Sequence, residues 1–326
     1  MAVETSVPKA FFWRRIHSLT GIWLVIFLLE HLLTNSQAAL WIGDDGSGFV
    51  HMVTKIHNLP YLPVIEIGLL GVPILIHGIW GIQYLRDASI NSFKTDGSRP
   101  SLHMYKRNKA YTWQRITSFV LLFGIIAHVV QMRFVNQPIS ATVDGQHHYM
   151  VRVGFDEGLY TLSKRLDFKV YNEQAVEVEK KMAPDVKEFL GDNWLSFFDF
   201  RKIPEGYELL ERQKVLEKDE FVRALTARPL ENGEVIVAAH DFATAMLLVV
   251  RETFKWPLMM VLYTIFVLSA CFHAFNGLWT FLITWGVSLT ERSQKLMSGI
   301  ANTLMIVVAF LGLAAIWGTY WVNLRF

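Results

Sequence analysis

Four histidines, His31, His77, His128 and His273, sit inside long apolar stretches of the chain, one in each. An imidazole in hydrocarbon is expensive, so such a residue is first read as functional. Four of them suit two pairs of axial ligands, the usual protein device for holding a low-spin haem iron inside a helical bundle. The competing reading is that each histidine only hydrogen-bonds a neighbouring helix. Cys271 is the one cysteine. It excludes an internal disulfide, an iron–sulfur cluster and a CxxCH haem attachment, so a haem would be held by coordination and packing alone.

Five apolar segments must position these side chains, at residues 16–41, 61–86, 111–136, 256–285 and 297–324. At 1.5 Å per residue each is long enough for a hydrocarbon core of roughly 30 Å. Only 18% of the 326 residues are charged, against about 25% in soluble domains, and the deficit is confined to these runs. The expected fold is an all-α transmembrane five-helix bundle binding two b-type haems, with a small α+β extramembrane domain inserted between the third and fourth helices. The boundaries are 1–136 for helices one to three, 137–255 for the insertion and 256–326 for helices four and five. The run after Arg14 and Arg15 is too long for the apolar part of a signal peptide.

Loop charge gives the orientation. Lys9, Arg14 and Arg15 precede the first span. Arg86, Lys94, Arg99, Lys106, Arg107, Lys109 and Arg115 lie between the second and third, and Arg292 and Lys295 between the fourth and fifth. The first connection carries Asp44, Asp45 and a single Lys55. The positive-inside bias puts the N-terminus in the cytoplasm and the insertion outside. Within the insertion, residues 151–154 and 234–238 read as strands and 180–190 and 217–227 as helices. Residues 243–254 are amphipathic and read as a helix lying along the outer membrane surface.

Depth sorts the histidines. His31 and His128 fall past the midpoints of outward-running spans, His77 and His273 past the midpoints of inward-running ones. That predicts an outer pair, His31 with His128, and an inner pair, His77 with His273, separated by roughly 10 Å at the helical rise. Gly78, Gly81, Gly124 and Gly277 provide gaps of the kind a macrocycle needs, although small residues also serve bare helix packing. His17 shares a helix face with His31 but is read as lying at the inner interface. There it, Arg14, Arg15, Ser18, Gln114 and Arg115 are candidates for haem propionates, with interfacial snorkelling as the alternative. Glu66, about a turn into the second span, is a candidate for quinone proton transfer or a helix-start carboxylate. Glu30 is left open between a proton path and a structural role.

Together the motifs carry a resemblance. They are Arg14-Arg15-Ile16-His17-Ser18-Leu19-Thr20-Gly21, Glu30-His31-Leu32-Leu33-Thr34-Asn35, Leu75-Ile76-His77-Gly78-Ile79-Trp80-Gly81, Gln114-Arg115-Ile116-Thr117, His128-Val129-Val130-Gln131-Met132-Arg133 and Phe272-His273-Ala274-Phe275-Asn276-Gly277-Leu278-Trp279. This series resembles the single-polypeptide, five-helix, dihaem cytochrome b anchor of succinate:menaquinone oxidoreductases and related fumarate reductases. The resemblance implies a high-potential haem on His77 and His273 and a low-potential haem on His31 and His128. It implies a quinone pocket near the outer haem, for which Thr34, Asn35 and Glu66 are candidates, with menaquinone as substrate. It also implies a flavoprotein and an iron–sulfur subunit on the cytoplasmic side, which carry the FAD and the clusters, a bacterial cytoplasmic (inner) membrane, and a respiratory complex II that forms higher-order oligomers in some members. The dicarboxylate chemistry would be on a partner. Two departures stand out. The insertion is longer than the connection usual in that family, and Cys271 stands where some fumarate-reductase anchors carry a proton-conducting glutamate. Alternative readings are quinol:fumarate reduction by the same anchor, and the dihaem anchor of a formate dehydrogenase or hydrogenase.

Overall fold

The structure, a computed structural model, describes residues 8–40, 46–98, 101–186 and 206–323. The chain forms two compact units. One comprises Met1–Phe49, Asn58–Gln131 and Trp256–Thr319; the other comprises Val50–His57, Met132–Lys255 and Tyr320–Phe326.

Among the described residues, five helical stretches are long and apolar enough to cross a membrane: Lys9–Ser36, Leu62–Arg86, Lys106–Val135, Pro257–Thr284 and Glu291–Asn323. This is a membrane protein. The first is helix α1 (Lys9–Ser36); α2 (Ser47–His57) follows it. The second span is α3 (Leu62–Glu66), a π turn (Ile67–Gly71) and α4 (Val72–Arg86). The third is α5 (Lys106–Val130), which runs into a π turn (Gln131–Val135). The first span begins seven residues before the expected boundary. Its opening turns hold Lys9, Arg14 and Arg15, whose stems can lie along an apolar surface while their heads reach water.

The second span shows how backbone is satisfied where no water competes. Pro73 has no N–H, so in α register the carbonyl four residues earlier, Leu69 O, receives no donor from it. The indole Nε1 of Trp23 on α1 donates to that carbonyl at 2.5 Å. Both groups lie on the outer surface of the unit, where lipid offers nothing else.

The second unit is built on a four-stranded antiparallel sheet in the order β1-β2-β4-β3. Its strands are β1 (Ile139–Val143), β2 (Gln146–Gly154), β3 (Phe168–Tyr171) and β4 (Glu234–Ala239). Helices α6 (Gly158–Leu166), α7 (Glu173–Lys181) and α8 (Gly206–Leu225) lie between β2 and β4 in the chain, and α9 (Phe242–Thr253) follows β4. One face packs Val151, Val153, Val235 and Val237 against Leu159 of α6 and Leu248 of α9. The other packs Met150, Ile236 and Ala238 against Phe221 and Leu225 of α8. The expected strands at 151–154 and 234–238 lie inside β2 and β4, and the expected helix at 217–227 overlaps α8. The expected helix at 180–190 overlaps the end of α7, residue 186 is helical again, and residues 187–190 lie outside the described residues. β1 and β3 are additions.

The last helix of this unit departs from the surface-helix expectation. Asp241 caps α9, accepting the Thr244 N–H at 2.7 Å. Nine of its twelve residues are buried, which leaves no broad apolar face for lipid. The remaining spans are α10 (Pro257–Thr284), then α11 (Glu291–Leu313), a π turn (Ala314–Gly318) and α12 (Thr319–Asn323). In the first unit α1 packs on α4, α10 and α11, and α10 packs on α5 and α11, whereas α4 and α5 barely meet. Helices α1, α4, α5 and α10 thus form a ring with α11 outside it.

Trp23→Phe should orphan Leu69 O and lower stability by about 1–3 kcal/mol, read as a lower thermal midpoint in detergent. Adding Pro73→Ala, which restores a backbone donor, should recover part of the loss; no recovery would locate the effect elsewhere. In the second unit, His148 is buried on β2 beside the rings of Phe221 and His240. Burial, then His240 and Lys169, pushes its pKa below the ordinary value. The unfolded chain therefore takes up the proton first, and this contribution to stability is lost as pH falls from about 6.5 through the folded value. Protease resistance of the second unit, measured on the full chain, should fall across that window less steeply in His148→Leu than in the native chain.

Candidate functional site: two histidine pairs in the bundle

The four span histidines come from four helices: His31 on α1, His77 on α4, His128 on α5 and His273 on α10. The rings of His31 and His128 have centroids 5.9 Å apart at 77°. Those of His77 and His273 are 6.1 Å apart, also at 77°. In each case the partners sit on opposite corners of the helix ring. This is the grouping expected from depth. Ten or so residues of α1 separate His31 from the turn that meets His77, so the two levels are about 15 Å apart at 1.5 Å per residue, wider than the 10 Å expected.

Three of the four rings have a close hydrogen-bond partner at Nδ1. His77 Nδ1 lies 3.1 Å from the carbonyl of His17, and His273 Nδ1 lies 3.2 Å from the carbonyl of Gln114. A carbonyl only accepts, so both nitrogens donate and the lone pair is left on Nε2. Gln114 also donates its side-chain amide to His273 O at 3.0 Å and accepts from Asn276 Nδ2 at 2.8 Å, which ties α5 to α10 at this level. His128 Nδ1 lies 3.1 Å from the Tyr263 hydroxyl. His31 Nδ1 has only a long approach, 3.5 Å, from the Asn35 amide.

Two glycines permit these positions. A Cβ on Gly21 would come within 2.9 Å of His77 Cε1, so only glycine lets that ring reach the α1 backbone. A Cβ on Gly124 would lie 2.5 Å from the Phe266 ring, which packs 5.9 Å from His128. A Cβ on Gly78, beside His77, would meet nothing within 4 Å.

The structure brings His17 against one of the four. Because α1 begins at Lys9, His17 lies well within the helix and its ring stacks on His77 at 4.0 Å and 12°. Its Nδ1 is buried with no hydrogen-bond partner among the described residues. The other propionate candidates are partly engaged. Arg15 lies over the Phe11 ring, Ser18 accepts from Trp285, and Arg115 donates to Ser89 O while covering Tyr111. Arg14 is exposed.

The quinone candidates are less open than the sequence suggests. Thr34 is buried and donates to Glu30 at 2.7 Å, and Asn35 donates to His31 O at 2.8 Å. Glu66 is half-buried at the junction of α3 and the π turn, a kind of helix defect often found at functional sites. The sequence reading missed Tyr263 and the cavity of about 410 Å³ between the start of α5 and the end of α10, lined by Arg107, Asn108, Tyr111, Asn276 and Trp279 among others. The cue for the cavity was available in Asn276, three residues after a histidine.

The pairs suit a metal between them. An imidazole nitrogen binds a metal at about 2 Å and the ring centre lies about 1 Å farther, so two rings across one iron have centres about 6 Å apart. The observed separations, the free Nε2 lone pairs of His77 and His273 and the diagonal placement all fit a bis-histidine haem.

Over 309 residues, 94% of this chain and 96% of the relative, the sequence is 22% identical to the succinate dehydrogenase cytochrome b558 subunit of Bacillus subtilis (strain 168). That similarity supports the resemblance drawn from the motifs. No family model matches the chain, and no solved structure matches it.

Gly21→Val should displace the His77 ring and spare the other pair. With a haem held by each pair, one of two components in a reduced-minus-oxidised spectrum should weaken; equal loss of both would mean the bundle itself has been disrupted.

Proposed function

We propose that this chain is the cytochrome b anchor of a succinate:menaquinone oxidoreductase, passing electrons from an iron–sulfur subunit through two b haems to quinone. The observation that carries this reading is the pair of facing imidazole sets on opposed helices, with the Nδ1–H groups of His77 and His273 donating to backbone carbonyls. The full-length similarity to a succinate dehydrogenase cytochrome subunit supports it. Sidedness follows from loop charge: His77 and His273 toward the cytoplasm and the partner flavoprotein and iron–sulfur subunits, His31 and His128 toward the outer face, in a bacterial cytoplasmic membrane.

His77 and His273 would hold one haem and His31 and His128 the other; each supplies one-electron carriage when bound. The chain's own work is positional. Gln114 and the His17 carbonyl fix ring tautomers, and Gly21 admits the His77 ring. The His17 ring covers the face of His77 and keeps water from it. Asn276, one turn after His273, lines a largely apolar cavity between α5 and α10. Glu66 is the remaining candidate for delivering or accepting the quinone proton, since Thr34 and Asn35 spend their side chains within α1. Cys271 is fully buried and carries no carboxylate, so no proton route is drawn through it.

Haem stoichiometry tests the reading. The complex should contain two haems b per chain by pyridine haemochrome. His31→Ala and His128→Ala should each remove the same redox component, and His77→Ala and His273→Ala the other. Loss of a haem in His17→Ala with retention in His31→Ala would overturn the assignment. A flavoprotein and an iron–sulfur protein should co-purify; a formate dehydrogenase or hydrogenase subunit instead would redirect it.

A further inference from the structure

The four histidines differ in what holds Nδ1, and the difference singles out one side chain. His77 and His273 donate to backbone carbonyls, which cannot reverse a hydrogen bond. His31 faces an amide that already donates to its own carbonyl. His128 meets a phenol, and a phenol can either donate or accept. What decides is its second partner. Tyr263 Oη lies 3.0 Å from Gln131 Oε1, an atom that only accepts. The single phenolic proton goes there, so the phenol oxygen accepts from His128 Nδ1–H at 3.1 Å. In a neutral imidazole this leaves the lone pair on Nε2. Were the chain to run the other way, Nε2 would carry the proton and could not bind a metal.

We propose that Tyr263 is a positioning residue which, with Gln131, holds His128 in its coordinating tautomer and tunes the haem on that side of the bundle. The inference rests on the reading of His128 as an iron ligand. The surroundings are built for it. Tyr263 stands edge-on to His128, with ring centroids 5.8 Å apart at 79°, and edge-on to Phe266 as well. Phe266 is seated on the missing Cβ of Gly124. The imidazole is thus held against the two aromatic rings of α10. An acceptor on Nδ1 makes the imidazole a stronger donor to a metal and favours the oxidised ion, and such outer-shell partners commonly alter affinity or activity tenfold to a hundredfold.

The test uses the assembled complex and an optical redox titration that resolves the two haem components. Tyr263→Phe keeps the ring and removes the acceptor. The expected result is two haems retained, with the midpoint of one component raised, that component being the one His128→Ala removes. Gln131→Leu, which frees the phenolic proton to turn toward Nδ1, should perturb the same component. Should Tyr263→Phe lose a haem outright, loss of the His128 component supports the proposal and loss of the other overturns it. Two haems with both midpoints unchanged overturns it as well, while His128→Ala still losing one component leaves the parent reading intact. A His128→Ala complex that keeps both components would instead overturn the parent reading.

Discussion

A histidine buried among apolar helices has two ring nitrogens to satisfy, and this bundle is organised around that demand. For the lower pair, a carbonyl on the neighbouring helix takes Nδ1–H. The arrangement requires the ring to approach a helix backbone that is already hydrogen-bonded, and side chains normally prevent it. Gly21 removes the obstruction on α1. On α5 the same approach is secured by Gln114, which gives His273 its carbonyl and returns its amide to the His273 carbonyl. These cross-helix bonds set the relative height of α1 against α4 and of α5 against α10, and the height decides which histidines face one another.

The other irregularities of the bundle follow the same accounting. A carbonyl without its donor must find another where water is absent. Pro73 creates such a carbonyl, and Trp23 answers it from α1. Thr20 and Thr117 turn their hydroxyls back onto the carbonyls of His17 and Gln114, so each of those oxygens serves a threonine as well as a histidine. In the second unit both faces of the sheet are covered, and this explains why β4 is buried along nearly its whole length. The fold of the insertion uses its own helices to bury its apolar surface, α9 included.

Much of this was legible in the chain. The five spans came from apolar length, and the grouping of histidines came from loop charge and depth. Boundaries did not, because Arg14 and Arg15, whose stems are compatible with apolar surroundings, lie inside α1 and not ahead of it; the stacking of His17 on His77 left no mark in the sequence. β3 has only four residues, too few for a period to register. β1 was less obscure, since Asp144-Gly145 is a turn pair whose two positive φ values suit a tight hairpin. Tyr263 could not have been found by pattern: nothing in its neighbourhood marks it, and its partners are 135 and 132 residues away in sequence.

The oddest of the sequence features, a fifth histidine in register with the four, has a geometric answer. His31 lies fourteen residues after His17, and His128 fourteen after Gln114. Thr20 and Thr117 each stand three residues beyond the carbonyl they share with a histidine. Gly81 follows His77 by four residues and Gly277 follows His273 by four. Helices α1 and α4 therefore repeat the device of α5 and α10: one helix carries a carbonyl at the lower level and a histidine at the upper, and its neighbour carries the lower histidine. Two such units brought face to face put like histidines on opposite corners. In this repeat His17 corresponds to Gln114, not to any of the four. Its backbone oxygen does what the Gln114 oxygen does, and its ring lies flat on the histidine it orients. The fifth histidine is thus accounted for by what it does to the His77 ring, which it both stacks on and orients.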